Sequence, residues 1–174
     1  FLSGDYDQKN RGGSVSLTKP LGPFKILTTS YSIEKYSIYN VDADASDSIK
    51  AERGDWLKSS ANIGLSRDTR DNYLIATRGS RTTLSSMVAG SVLQGDIDIY
   101  SIQLRSSQYW TPWLNHVISL RERIGVVDAY GDSERVPIFD RFFLGGPFSM
   151  RGFDYRDVGP VDEDNEPLGG NTMA

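Results

Sequence analysis

Apolar and polar residues alternate with a period of two along most of the chain. Successive side chains of a β-strand point to opposite faces, so this period predicts strands with one apolar and one polar face. The clearest example is residues 56–67, whose apolar row is Leu57, Ala61, Ile63 and Leu65. Similar segments lie at residues 13–18, 24–36, 81–88, 100–105 and 118–125, and residues 169–174 look like the start of another. The sequence predicts an all-β chain of about six strands plus the start of a seventh, with no helix.

The segments between these strands alternate in length. Short or medium connections are expected at residues 20–23, 68–80 and 111–115, and longer ones at 40–55, 89–96 and 128–168. Consecutive antiparallel strands then form an up-and-down meander, with short turns at one end and long loops at the other. This asymmetry is typical of outer-membrane β-barrels, whose strands need about 9–11 residues to cross the bilayer. The fold class predicted is an antiparallel up-and-down meander forming part of a transmembrane β-barrel.

Aromatic residues cluster where the predicted strands end. Tyr109, Trp110 and Trp113 mark the short-turn end, and Tyr36, Tyr39 and Trp56 mark the other. Aromatic girdles of membrane barrels have this placement. The alternative is that Trp and Tyr flank turns in many β proteins, including soluble ones.

The alternation also assigns each strand residue to a face. The row expected to face outward comprises Leu57, Ala61, Ile63, Leu65, Leu84, Val88, Ile102, Leu104, Ile118, Leu120 and Ile124. The row expected to face the lumen includes Lys58, Asn62, Arg81, Gln103, Arg105, Arg121 and Arg123. We expect the lumen-facing arginines to attract the acidic long loop, which carries Asp154 and Asp157. Glu122 falls on the outward face, and the pattern offers no reason for it.

Composition narrows the classes of protein and site. No apolar run approaches the roughly 18 residues of a membrane helix. The net charge of −4 argues against nucleic acid as a partner. Cysteine is absent, and His116 is the single histidine, with no Ser or Asp placed to complete a catalytic triad. The sequence therefore predicts neither an enzyme nor a metal or cofactor site.

Residues 137–160 fit neither period and form the most distinctive segment. Here Phe142-Phe143-Leu144-Gly145-Gly146 is followed by Met150-Arg151-Gly152-Phe153 and then by Asp157-Val158-Gly159-Pro160. This segment resembles the signature of the BamA-type outer-membrane assembly factors, with Met150 where the family usually has valine or leucine. The turn Asp68-Thr69-Arg70-Asp71 resembles a turn that is frequent in the same family.

The resemblance implies a role for most of the chain. Residues 1–174 would correspond to strands six to eleven of a sixteen-stranded barrel, with the sixth outer loop at about 128–168 and the start of strand twelve. The remaining strands and the periplasmic POTRA domains would lie outside this chain. The implied protein folds and inserts other β-barrel proteins into the outer membrane of a Gram-negative-type bacterium, without ATP or cofactor. Its implied partners are outer-membrane lipid, unfolded β-barrel clients, periplasmic chaperones and accessory lipoproteins.

Alternatives remain open at this stage. A two-partner-secretion-type transporter or a passive channel would share the barrel and the Arg-Gly-Phe loop. A soluble β-sandwich or lipocalin-like binder would bury the face assigned to lipid. The resemblance also implies that the loop motif Gly145, Gly146, Met150, Arg151, Gly152 and Phe153 tucks into the lumen. Gly152 is expected to allow close approach of another backbone, and Phe153 and Phe148 to pack against loop or wall. Arg151 is expected to reach the wall with its acidic partner outside this chain.

Overall fold

The computed structural model of the chain describes residues 6–42, 47–114, 116–147, 149–162 and 165–174. Seven strands form one antiparallel sheet in which each strand pairs with its neighbours along the chain. Their bounds are β1 Asp7–Gly22, β2 Lys25–Tyr39, β3 Gly54–Asp68, β4 Gly79–Ala89, β5 Ile99–Trp110, β6 Ile118–Ala129 and β7 Thr172–Met173. The predicted all-β meander is confirmed. Within the described residues β1 and β7 do not pair with each other, so the sheet is open and forms part of a barrel wall.

The connections follow the predicted alternation of lengths. Residues 23–24, 69–78 and 111–117 connect strands at one end of the sheet, and residues 40–53, 90–98 and 130–171 connect them at the other. The longest connection, residues 130–171, is called the inner loop below. It packs against the face of the sheet that carries Lys58 and Gly125, which we call the inner face. The opposite face is the outer face.

An apolar row crosses the outer face. The register pairs Leu27 with Leu65, Leu65 with Leu84, Leu84 with Leu104, and Leu104 with Ile124. Cross-strand partners lie on the same face, so these five side chains form one continuous band. Leu65, Leu84 and Ile124 remain 42%, 47% and 53% exposed. A band of this length suits contact with lipid, because soluble proteins rarely leave large contiguous apolar patches open to water.

Two apolar clusters lie on the inner face near the long loops. The first joins Tyr6, Ile38, Ile49 and Ile138. The second joins Ala89, Ile97, Ile99, Val127 and Val136. Each cluster combines strand residues with residues of the long connections, so burial of apolar surface holds those connections against the sheet.

The structure differs from the sequence prediction in several elements. Strand β1 is longer than the predicted 13–18, because its polar beginning pairs with the end of β2. Pro20 is tolerated in β1 because the register shifts just after it, and proline in sheets is found at such irregularities. The prediction of no helix misses one turn of α-helix, Asp47–Lys50, and the short 3-10 helices Ser91–Leu93 and Ile138–Asp140. No helix of the described residues is long and apolar enough to cross a membrane.

Three of the aromatic residues assigned to a girdle, Tyr36, Trp56 and Tyr109, lie on inner rows instead. The Tyr36 ring stacks on Phe139 of the inner loop, with ring centroids 4.3 Å apart. Trp56 is the register partner of Tyr36 and packs against the second apolar cluster. Its Nε1–H donates to the Glu52 carbonyl oxygen at 2.9 Å. The rings of Tyr36 and Trp56 therefore anchor loops on the inner face.

Candidate functional site: the loop on the inner face

The inner loop begins its contact with the sheet through apolar side chains. Ile138, which is 6% exposed, belongs to the first apolar cluster, and Val136, which is 1% exposed, belongs to the second. The Phe142 ring lies over β6 at Gly125, where a Cβ would approach its Cζ to 2.8 Å. Glycine at position 125 thus provides the space into which the ring fits. No local pattern predicts this pairing, because Gly125 follows Arg121 and Arg123 on the row expected to face the lumen.

A buried ion pair fixes the same part of the loop to the wall. The Lys58 ammonium on β3 pairs with Asp140 Oδ1, and both side chains are about nine-tenths buried. Glu34 is the register partner of Lys58 and accepts a hydrogen bond from the Tyr36 hydroxyl. Burial raises the pKa of Asp140, Lys58 opposes that rise, and Glu34 adds to it. The desolvation of this carboxylate therefore outweighs its attraction to Lys58.

A second ion pair joins the inner loop to the loop between β2 and β3. Arg135 Nε lies 3.7 Å from Glu52 Oε1, and the Glu52 side chain is 4% exposed. Burial raises the pKa of Glu52, while Arg135 and Arg141 lower it. Arg141 also donates to the carbonyl oxygens of Val136 and Leu168 at 2.9 and 3.2 Å. These contacts hold the two ends of the inner loop close together.

The motif predicted from sequence forms a compact turn. Ser149 Oγ accepts from the Gly145 N–H at 2.9 Å and donates to the Gly145 carbonyl oxygen at 2.7 Å. The N–H groups of Gly146 and Met150 donate to the carbonyl oxygens of Phe153 and Gly146, at 3.0 and 3.1 Å. Gly145 has φ +117°, and a Cβ there would lie 2.2 Å from the Asp154 carbonyl oxygen. Only glycine fits at that position.

The roles expected for Gly152 and Phe153 need correction. Gly152 has φ +94°, but apart from its chain neighbours no atom of the described residues lies within 4 Å of the position of a Cβ. Glycine is favoured there by backbone conformation, and the close backbone approach occurs at Gly145 instead. Phe153 is 51% exposed and Met150 38% exposed, so neither is a buried anchor. Phe148 lies outside the described residues.

Arg151 and Arg156 have contrasting surroundings. Arg151 is exposed and makes no hydrogen bond or ion pair with any described residue. Arg156, which the sequence reasoning did not single out, lies over the Phe143 ring with its Cζ 4.0 Å from the centroid. Arg156 therefore provides the cation–π contact within the loop.

No ion pair within 4 Å joins Arg105, Arg121 or Arg123 to an acid of the inner loop among the described residues. Arg81 Nε lies 3.9 Å from Asp68 Oδ2. The ion pair that the described residues show between sheet and inner loop has its cation at Lys58. The attraction between the inner-face arginines and the acidic loop stays a prediction.

The turn Asp68-Thr69-Arg70-Asp71 is tightly bonded. Arg70 donates two hydrogen bonds to the Asp68 carboxylate, from Nη2 to Oδ2 at 2.7 Å and from Nε to Oδ1 at 2.9 Å. Asp71 Oδ1 accepts from the N–H groups of Asn72, Thr77 and Arg78, and Oδ2 accepts from the Thr77 hydroxyl. These bonds, that of the Thr77 hydroxyl foremost, lower the pKa of Asp71. Thr69 Oγ1 accepts from the Ser80 N–H at 3.1 Å. The network fixes the shape of the turn without a ligand.

No group of three or more His, Asp or Glu side chains is placed to hold a metal ion in the described ranges. The inner loop and its contacts with β2, β3 and β6 are therefore the candidate functional site.

Comparison with known proteins identifies the family. The Omp85 superfamily domain matches residues 2–174 of the chain. The chain belongs to the Omp85 superfamily. It is 31% identical over 171 residues to the outer membrane protein assembly factor BamA of Nitratidesulfovibrio vulgaris, covering 98% of this chain and 22% of that protein. It is 30% identical to the sorting and assembly machinery component 50 homolog of Xenopus tropicalis, covering 94% of this chain and 34% of that protein.

A solved structure shares the fold of this Omp85 chain. The crystal structure of BamA from Haemophilus ducreyi lacking POTRA domains 1–3 matches with a TM-score of 0.83 at 19% identity, over 98% of this chain and 36% of that one. The resemblance to BamA-type assembly factors is thus confirmed. The chain spans about a fifth to a third of the length of these relatives.

Proposed function

We propose that this Omp85 chain is part of an outer-membrane assembly factor that folds and inserts other β-barrel proteins. The observation that carries the proposal is an open antiparallel wall with an apolar outer face and a loop fixed to its inner face. The relatives named BamA and sorting and assembly machinery component 50 support it. In this proposal the chain contributes barrel wall and the bracing loop, and strands outside it complete the barrel.

The proposed setting follows from the same reasoning. The outer face contacts outer-membrane lipid, and we place the protein in the outer membrane of a Gram-negative-type bacterium. Its partners are unfolded β-barrel clients, periplasmic chaperones and accessory lipoproteins, with no nucleic acid. The turn Asp68-Thr69-Arg70-Asp71 faces the periplasm together with the other short connections. The protein acts without covalent catalysis, metal or cofactor.

Arg151 is assigned a role in this proposal. Its exposed guanidinium reaches an acidic partner on the wall that lies outside this chain. The planar fork of five donors suits a carboxylate better than an ammonium does. Arg151→Lys should therefore impair assembly nearly as much as Arg151→Ala. The exposed Arg53, in the loop between β2 and β3, provides the matched control Arg53→Ala.

Reconstitution tests the proposal directly. The full-length protein is placed in phospholipid vesicles with its accessory lipoproteins, and a urea-unfolded eight-stranded barrel protein is added without ATP. Folding is followed by the faster gel migration of unheated samples. We expect faster folding than in vesicles without the protein, and a loss of this gain in both Arg151 variants. No acceleration of client folding by the wild-type protein would contradict the proposal, and full activity of Arg151→Lys would show that charge alone suffices.

The same preparation separates the alternative functions. A passive channel would conduct ions across a planar bilayer without accelerating folding of the client. A two-partner-secretion-type transporter would move an unfolded secreted protein across the vesicle membrane. Neither alternative predicts faster insertion of a β-barrel client.

A further inference from the structure

Three arginines meet on the inner face where β5 pairs with β6. Arg105 and Arg123 are direct register partners, and Arg121 lies two residues before Arg123 on β6, on the same face. Directly opposite residues have Cβ atoms about 4.5–5.5 Å apart, and like charges there are destabilising. Arg105 Nη2 donates to the neighbouring Gln103 Oε1 at 3.2 Å. This amide orients the guanidinium but cannot neutralise it.

The two other strand cations of the inner face, Lys58 and Arg81, each have an acid opposite them. The register sets Glu34 opposite Lys58 and Asp68 opposite Arg81. On the outer face Arg11 and Lys35 also form a like-charge pair of register partners. There Asp55 Oδ2 lies 2.8 Å from the Lys35 ammonium. Within the described residues, the pair Arg105 and Arg123 has no such carboxylate.

A cleft opens over these arginines, between the sheet and the inner loop. It has a volume of about 650 Å3, and its lining includes Arg105, Arg121, Arg123 and the hydroxyl-bearing Ser107 and Ser149. Glu122 borders it, but Glu122 is the register partner of Ser106 on the outer face and makes no ion pair with the arginines. The cleft therefore combines converging guanidinium donors, hydroxyl groups and room for a ligand.

We propose that this cleft is an oxyanion-binding site held by Arg105, Arg121 and Arg123. Guanidinium groups bind carboxylate and phosphate oxygens through paired N–H donors, and such charge-assisted bonds are about twice as strong as neutral ones. An oxyanion between Arg105 and Arg123 converts their repulsion into two attractions. The oxyanion has two possible sources: a free phosphate-type anion, or a carboxylate of the intact protein beyond the described residues. The site does not depend on the assembly function proposed above.

The test uses the full-length protein in detergent and pyrophosphate as the probe. Its unfolding temperature is measured against pyrophosphate concentration at constant ionic strength. The double variant Arg105→Gln with Arg123→Gln removes the facing pair, and the version with two lysines retains charge but loses the forks. Arg11→Gln is the matched control, because it also removes one member of a like-charge pair, on the other face. Added salt should weaken binding, since charge attraction supports it.

Two outcomes support the site and distinguish the sources of the oxyanion. Saturable stabilisation by pyrophosphate, with affinity at least about tenfold weaker in the double glutamine variant and unchanged in Arg11→Gln, indicates a free oxyanion. Absence of a pyrophosphate effect, together with a lower unfolding temperature of the double glutamine variant than of Arg11→Gln, indicates a carboxylate of the protein itself. Absence of a pyrophosphate effect with a double variant as stable as wild type would overturn the proposal.

Discussion

The ion pair between Lys58 and Asp140 gives the sharpest test of how the inner loop is held. Removing one partner of a buried pair costs about 3–5 kcal/mol, because the other charge is left without compensation. Both side chains here keep about a tenth of their exposure, so we expect a loss of about 3 kcal/mol for Asp140→Leu. Lys58→Met should cost less, because Asp140 already has a raised pKa and can bind a proton. That penalty should shrink as the pH falls.

Replacing both Lys58 and Asp140 tests whether burial outweighs attraction in this ion pair. Burial outweighs attraction at Asp140, so replacing both residues by apolar ones of similar size should be close to neutral. The double variant Lys58→Met with Asp140→Leu should therefore be more stable than Asp140→Leu alone. Stability is measured by urea unfolding in phospholipid vesicles, with gel migration of unheated samples as the readout. Proteolysis of the inner loop reports its release separately.

A double-mutant cycle gives the coupling between the two sites. The expected coupling is about 2 kcal/mol or more. Each single variant leaves one buried charge without its partner, whereas the double variant leaves no buried charge. If the double variant lost as much stability as the two single variants together, the ion pair would contribute nothing to the loop. The apolar contacts of the loop would then have to account for its position alone.

Three further predictions concern the loops and turns. Gly145→Ala should make the inner loop accessible to protease, because the new Cβ would lie 2.2 Å from a carbonyl oxygen. Gly152→Ala should cost only the roughly 1–2 kcal/mol of a left-handed backbone conformation. Equal protease sensitivity of the two variants would contradict this prediction. The pKa of Glu52 is higher in the folded state than in the unfolded chain. The folded state therefore gains stability as the pH falls through the folded-state pKa, and the gain is complete below the ordinary glutamate pKa of about 4.3. Glu52→Gln should flatten this dependence in urea titrations at several pH values, and an unchanged dependence would contradict the role of Glu52. Asp71→Ala should speed amide hydrogen exchange at residues 72–78, and unchanged exchange would show that its acceptor bonds do not hold the turn.

The alternation of apolar and polar residues along the chain was enough to predict the meander and the outward row of apolar side chains. In a strand the side-chain period is two, and shifting the register by one residue would turn a whole apolar row towards the lumen. The row through Leu65, Leu84 and Leu104 could therefore be derived from alternation alone, before any pairing was known. The order of strands followed from the alternating lengths of the connections, because consecutive antiparallel strands need only short turns.

The residues that hold the inner loop could be identified only from the folded chain. Lys58 and Asp140 lie 82 positions apart, and no local pattern links them. The sequence motif drew attention to Arg151 and Gly152, whereas Arg156 contacts the Phe143 ring and Gly145 allows the close backbone approach. The physical reason is that strand faces depend on nearest neighbours along the chain. Contacts of a long loop depend on its path across the sheet, and that path is fixed by which distant side chains it can bury and pair.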